Sequence, residues 1–284
     1  MHLISALAKI QSYSFAEERM VEFLVEYAIS KGWSAWADGH KNVYIVKDVD
    51  GTGPALIYPC LAAHIDTVFP IQDTDPTVTV EGDRVVAHRK GKRCGFGGDD
   101  KAGVWVCLKV LESTPGPLKV VLFAAEEVGS IGARHANRMF FADVGYFVEF
   151  DCPSYGLVSY SCADVALFDG DGVFIRRADP VLARWGYTQW QHHPRTDVLH
   201  IRKTQPFGCL NLSCGYYLGH TDEEFIHFGE MAQAARMAKD LLTQLGNTVY
   251  AHTGRLSGRF LRPVQPMCVP RPGATELGEP PLEP

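Results

Sequence analysis

L-K-V-V-L-F-A-A-E-E-V-G-S, residues 118–130, is an apolar run that stops at two adjacent acids, Glu126 and Glu127. A segment this short and this continuously apolar is the pattern of a strand covered on both faces. The sequence therefore predicts a buried strand over Leu118–Ala125 with the acids at its carboxyl end. The form recurs on either side. A-L-I-Y-P-C-L-A-A-H-I-D at 55–66 predicts a strand over Ala55–Ala63 followed by His64 and Asp66, and V-G-Y-F-V-E-F-D at 144–151 predicts one over Val144–Phe150 followed by Asp151. Ligands of open α/β sheets bind off the carboxyl ends of the strands, so these runs predict an α/β fold with a site on one sheet edge.

Working outward, Ser14 with Glu17 reads as a capping box, and Met20, Leu24, Tyr27 and Ala28 recur at helical spacing, which predicts a helix over 14–31. Asn42–Val46 reads as a strand, and V-T-V-E-G-D-R-V-V-A-H reads as a peripheral hairpin over 77–88 turning at Glu81-Gly82-Asp83. Val104, Leu108 and Leu111 place a helix over Lys101–Ser113, immediately after Asp99-Asp100. Leu210–Leu218 is strand-like. Thr221 with Glu224 forms a second capping-box pattern, and an apolar stripe from Phe228 to Leu245 predicts a helix over 222–245 with His220 just before it. The expected organisation is one domain over 1–260 and a proline-rich, extended or disordered tail over 261–284.

The chain has 284 residues, 46% of them hydrophobic, which is enough for a sizeable core. Its formal charge of -6 offers no basic field for nucleic acid or an anionic membrane. The start, Met1-His2-Leu3-Ile4-Ser5, lacks the basic and apolar regions of a signal peptide, and no apolar run approaches the roughly 20 residues that span a bilayer. A soluble cytoplasmic protein is expected. The eight cysteines contain no C-x-x-C pair and read as reduced, buried thiols rather than a zinc-thiolate site.

Five segments carry the chemistry: A-A-H-I-D-T-V (62–68), G-G-D-D-K-A-G (97–103), A-A-E-E-V-G-S (124–130), V-E-F-D-C-P (148–153) and G-Y-Y-L-G-H-T-D-E-E (215–224). Their histidines and carboxylates are the donors that two zinc ions sharing one carboxylate need. Taken singly, each has a plainer reading, since an H-x-D can be a satisfied polar pair and adjacent acids a solvated turn. The flanks favour a site. Glu126-Glu127 follows V-V-L-F-A-A, the glycines at 95, 97 and 98 let backbone approach an ion, and unpaired carboxylates beside a core are costly.

In this order the five motifs resemble the zinc-dependent exopeptidase superfamily, which includes the M20, M28 and M42 metallopeptidases, over residues 14–245. The resemblance implies a mixed, largely parallel sheet with helices on both faces. It implies His64 as a metal ligand oriented by Asp66, Asp99 as the bridging ligand in preference to Asp100, Glu126 as general base and Glu127 as ligand. Asp151 is the implied strand-end ligand, with Glu149 as its alternative, and His220 is the terminal histidine. One zinc would then take His64, Asp99 and Asp151, and the other Asp99, Glu127 and His220, with cobalt or manganese able to substitute. Residues 152–219 are too few to complete the core and also hold the inserted lid of the aminoacylase-like branch, because a domain needs about 50 residues of its own. Residues 65–98 are likewise too few for the inserted domain of M42 relatives, so the outline is closest to M28.

Without a lid, the segment Trp190–Arg202 is the candidate substitute wall, with Asp197 placed to hold an α-amine and Arg195 or Arg202 a carboxylate. A solvated loop is the preferred reading of that segment, and His192 and His193 read as surface residues. The expected function is a dinuclear zinc hydrolase of short peptides, acting as an aminopeptidase. A deacylase or carboxypeptidase acting on small amides, and a non-catalytic binding protein, are the alternatives.

Overall fold

The computed structural model describes residues 1–49 and 57–252; the tail expected over 261–284 lies outside them. In chain order the strands are β1 (Ser34–Ala37), β2 (Val43–Lys47), β3 (Tyr58–His64), β4 (Thr77–Glu81), β5 (Arg84–Arg89), β6 (Lys92–Arg93), β7 (Leu118–Phe123), β8 (Val144–Cys152), β9 (Leu157–Cys162), β10 (Val165–Ala166), β11 (Gln189–His193), β12 (Cys209–Ser213), β13 (Tyr216–Tyr217) and β14 (Phe225–His227). The α-helices are α1 (His2–Lys9), α2 (Glu18–Ser30), α3 (Gly98–Ser113), α4 (Ile131–Arg134), α5 (Val173–Arg184), α6 (Val198–Thr204) and α7 (Phe228–Leu245), with a 3₁₀ turn at Arg138–Phe141.

The central sheet runs β1-β2-β7-β3-β8-β12-β9-β10, with β11 also paired to β9. Its middle, β7-β3-β8-β12, is parallel throughout, while β1, β2 and the β12-β9 and β9-β10 pairs are antiparallel. Every residue of β3, β7, β8 and β12 is buried, which explains their nearly unbroken apolar sequences. Side chains alternate along β8, so Phe147, Glu149 and Asp151 share one face and Val148 and Phe150 the other. Val198 N–H, the first of α6, donates to Glu149 on the former, and α3 packs over β3 and β8.

No separate domain is inserted among the described residues 152–219, which form β9 to β13 with α5 and α6 and mostly extend the central sheet. The hairpin is less peripheral than its sequence suggests. It belongs to a second sheet, β13-β14-β5-β4, in which Val85 pairs with Ile226, and so it supports the segment that carries His220. Among the described residues no helix is long and apolar enough to cross a membrane. The seven described cysteines are buried and free.

Both capping-box expectations fail. α2 begins at Glu18, because Ser14 Oγ donates to Asp66 Oδ2 at 2.7 Å instead of capping a helix. α7 begins at Phe228, where the His227 ring accepts the Glu230 N–H, and a turn at 222–223 followed by β14 occupies the residues expected to start the helix. His220 therefore lies well ahead of α7 rather than at its N-terminus. α1 has no counterpart in the sequence reading.

Candidate metal centre

Parallel packing brings the ends of β3, β7 and β8 side by side, and with them His64, the Glu126-Glu127 turn and Asp151. Asp99 enters from the start of α3. His220 enters from the loop after β13, with φ at 65°. His64, Asp99 and Glu127 offer donor atoms within 4.8 Å of one another, as do His64, Glu126 and Asp151.

Asp99 stands between the histidines. Its Oδ1 is 3.2 Å from His64 Nε2 and its Oδ2 is 3.3 Å from His220 Nε2. Asp151 Oδ1 lies 3.6 Å from His64 Nε2, and Glu127 Oε1 lies 2.9 Å from His220 Nε2. Two clusters thus share one carboxylate, each with a histidine and one further acid. Asp100 is committed elsewhere, accepting the His64 N–H at 3.2 Å and the Gly103 N–H at 3.0 Å. Glu149 is committed to the N-terminal turn of α6, accepting the Val198 N–H at 3.0 Å and lying 3.1 Å from Thr196 Oγ1.

His64 Nδ1 lies 3.1 Å from the Asp66 carbonyl and 3.4 Å from Asp66 Oδ1, which leaves Nε2 as the nitrogen facing the acids. Burial opposes a charged His64 ring, yet the Asp151 charge and contacts with Asp151, Asp66 and Asp99 hold its pKa well above the ordinary value. For Asp66 burial pulls upward, but the His64, Ser14 and Glu126 bonds prevail and hold it below the usual carboxylate range. His220, hydrogen-bonded to Asp99 and Glu127, is pushed up to about 10.

Glu126 is pushed up to about 8, first by burial and then by the Asp151 charge. Burial also raises Glu127, against the pull of His220. Carboxyls crowded in this way gain from a neighbouring cation. The donor chemistry of two histidines and three carboxylates, with one carboxylate pointing its oxygens in two directions, fits a pair of divalent ions.

Thr196 and Asn211, outside the five motifs, and Glu224, at the end of the fifth, complete the site. Thr196 Oγ1 donates to Asp151 Oδ2, and the Asn211 side chain binds both the N–H and the carbonyl of Asp151. Glu224 accepts the N–H groups of Phe96, Gly97 and Gly98, stitching the His220 segment to the loop that delivers Asp99. Those glycines serve packing more than approach to an ion. A Cβ on Gly97, whose φ is +77°, would meet Thr67 Cγ2 at 2.0 Å.

The Trp190–Arg202 segment folds as β11 and α6 rather than as a solvated loop. Arg195 is exposed. Asp197 is 1% exposed and neither of its carboxylate oxygens has a hydrogen-bond partner among the described residues, so a substrate amine reaches it only if the segment moves. Arg202 is turned away to the Gln205 carbonyl. His192, exposed, meets Ser161 through Nδ1, whereas His193 is partly buried.

A model of the family described as peptidase family M20/M25/M40 matches residues 60–244. A search of curated proteins gives no match. Among solved structures, the aminopeptidase PepT from Bacillus cereus superposes with a TM-score of 0.71 at 14% identity, covering 86% of this chain and 97% of that one. A tripeptidase from Staphylococcus aureus gives 0.69 at 14% identity, covering 84% and 96%. An aminopeptidase from the archaeon Desulfurococcus kamchatkensis gives 0.67 at 15% identity, covering 87% and 94%. These likenesses establish a shared fold.

Proposed function

Because the chain belongs to peptidase family M20/M25/M40, we propose that this metallopeptidase is a two-zinc hydrolase of short peptides that works as an aminopeptidase. The observation that carries the two-ion reading is the placement of Asp99, one oxygen 3.2 Å from His64 and the other 3.3 Å from His220. His64, Asp99 and Asp151 would hold one ion, and Asp99, Glu127 and His220 the other. Such ions supply, when bound, Lewis-acid activation of a water and of the scissile carbonyl.

The chain's own residues do the remaining work. Glu126 takes the proton of the attacking water on its carboxylate and delivers it to the leaving amine nitrogen, so the base is restored at the end of the cycle. Ser130 Oγ, 3.3 Å from Glu126 Oε1, orients that carboxylate. Asp66 keeps the His64 ring turned so that Nε2 faces Asp99 and Asp151. Aminopeptidase action on short peptides draws support from the fold shared with PepT and the tripeptidase and from the lack of an inserted lid among the described residues.

A second reading, a deacylase or carboxypeptidase, has one observation in its favour. Of the residues that the sequence offers for a substrate's termini, Arg195, offered for a carboxylate, is exposed and Asp197, offered for an amine, is not. Comparing a free dipeptide or tripeptide with its N-acetyl form and its C-terminal amide decides between them. Faster cleavage of the N-acetyl form overturns the aminopeptidase reading, and zinc analysis showing at most one ion per chain overturns the two-ion site.

A further inference from the structure

Asp151 presents two carboxylate oxygens to different surroundings. Oδ1 lies 3.6 Å from His64 Nε2, on the side of the proposed ions, while Oδ2 lies 2.5 Å from the hydroxyl of Thr196. Thr196 is completely buried. Its Oγ1 accepts the Asp197 N–H at 2.6 Å and lies 3.1 Å from Glu149 Oε2. A hydroxyl has one hydrogen to donate, and the shorter contact gives it to Asp151. The main chain of Asp151 is fixed independently, with Asn211 Oδ1 accepting its N–H at 3.0 Å and Asn211 Nδ2 donating to its carbonyl at 3.3 Å. What Thr196 decides is therefore the rotation of the carboxylate, not the position of the strand.

We propose that Thr196 is a positioning residue that holds Asp151 as a one-oxygen ligand and thereby sets the affinity of the half of the centre formed with His64. The inference rests on the two-ion reading above and goes beyond it, because Thr196 lies in none of the five motifs. The geometry has a chemical consequence. With Oδ2 engaged by Thr196, Asp151 would offer a bound ion Oδ1 alone, which would leave room for a reacting group. A threonine that served only to fill the core could be replaced by valine, which keeps its shape, with neither half of the centre weakened. A threonine acting through Asp151 affects one.

The test is zinc titration of the purified full chain against a competing chelator, comparing wild type, Thr196→Val and Thr196→Ser. Valine keeps the shape and removes the hydroxyl, whereas serine keeps the hydroxyl. The expected result is two binding steps in the wild type, with one weakened by about 10- to 100-fold in the valine variant, the size of effect seen when a hydrogen bond to a metal ligand is removed. The other step stays within about threefold, and serine restores both. Equal weakening of both steps, no weakening of either, or a serine variant as poor as valine overturns the assignment. A wild type that takes up only one ion sinks the two-ion reading instead. Thr196 is then judged on that one step: weakening in valine with rescue by serine upholds its role, and an unchanged step rejects it. If the valine variant fails to fold, Thr196→Ala and the serine variant decide by the same pattern.

Discussion

The Oδ1 atom of Asp66 accepts the backbone N–H of Glu126 at 2.8 Å. The same oxygen lies 3.4 Å from His64 Nδ1, and Oδ2 takes the N–H of Glu127 at 3.2 Å and the hydroxyl of Ser14 at 2.7 Å. One buried carboxylate thus fixes both the ring that would bind a metal and the turn that carries the proposed base. Without Asp66, β3 and β7 could stay in register while the chemistry at their ends drifted apart.

Asp66→Asn should accordingly damage two functions together. An asparagine side chain has one acceptor oxygen where the carboxylate has two, so either the Oδ1 contacts with His64 and the Glu126 N–H or the Oδ2 contact with the Glu127 N–H must be lost, the amide NH₂ facing a donor. Zinc affinity is expected to fall by about 10- to 100-fold, and kcat measured at saturating zinc by a further ~10-fold or more through misplacement of the base. Ser14→Ala removes only one contact and should give a milder loss of both. A variant that lost zinc affinity but kept full kcat would break the link between His64 and Glu126.

The Glu126-Glu127 pair separates base from ligand. Glu126→Gln should retain zinc and lose at least about 10²-fold in kcat, while Glu127→Ala should release one ion. Elemental analysis beside kinetics reads both. The pH profile provides an independent check. Burial and the Asp151 charge hold Glu126 at about 8 in the metal-free chain, against an ordinary value of 4.5, and a bound metal ion favours the carboxylate and lowers it. A general base is active when deprotonated, so kcat/KM should rise with pH through a midpoint between those values, and that limb should vanish in Glu126→Gln.

Stability in acid should depend on Glu112 of α3. It accepts the Tyr27 hydroxyl at 2.6 Å and pairs with Lys31 at 2.7 Å and Lys109 at 2.5 Å, tying α2 to α3. Burial pulls its pKa upward, but Lys109, Lys31 and Tyr27 prevail and hold it at about 2, below the ordinary 4.5. A carboxyl with a depressed folded pKa contributes stability that is fully present above the unfolded value and is lost as pH falls through the folded one. Glu112→Gln should therefore cost about 1 kcal/mol near neutral pH, a figure discounted for solvent screening of a partly exposed pair. The gap from wild type should close as pH falls from 4.5 toward 2. Urea unfolding of zinc-free protein across that range measures it, and a gap that widened in acid would contradict the assignment.

Glu224→Ala should act on Asp99 from a distance. Burial pushes the Glu224 carboxyl up to about 7 even though three backbone N–H groups bind it, and removing it leaves those N–H groups without an acceptor. The expected loss is about 3 kcal/mol, since each unsatisfied buried donor costs roughly 1–3 kcal/mol and part is recovered by relaxation. Zinc affinity should drop as the loop carrying Asp99 loosens. Thermal unfolding and zinc titration report the two effects separately.

The strand-end residues were legible because a parallel strand buried on both faces has little use for a charge, so His64, Glu126 and Asp151 stand out against their apolar runs. Their convergence follows from the topology those runs imply. The two S/T-x-x-E patterns misled for one physical reason. A local capping bond is worth about 1 kcal/mol, and a tertiary partner can outbid it: Asp66 captures Ser14 across 52 positions, and the N–H groups of the glycine loop capture Glu224 across 127. Thr196 and Asn211 carry no local signature, because their meaning lies wholly in the carboxylate and main chain of Asp151. The burial of Asp197 was equally invisible, since the polar sequence around it matches that of a surface loop.

The bond from Glu224 to Gly97 also bears on the order in which the centre is made. Synthesis delivers His64, Asp99, Glu127 and Asp151 first, and a contact spanning 127 positions closes only after the segment holding His220 has emerged. Long-range closures of this kind form late because their loop entropy is met before any contact rewards it. The nascent chain can thus lay down its central strands while one histidine of the pair is still missing, and the proposed second ion site is complete only when its last sheet strand, β14, docks.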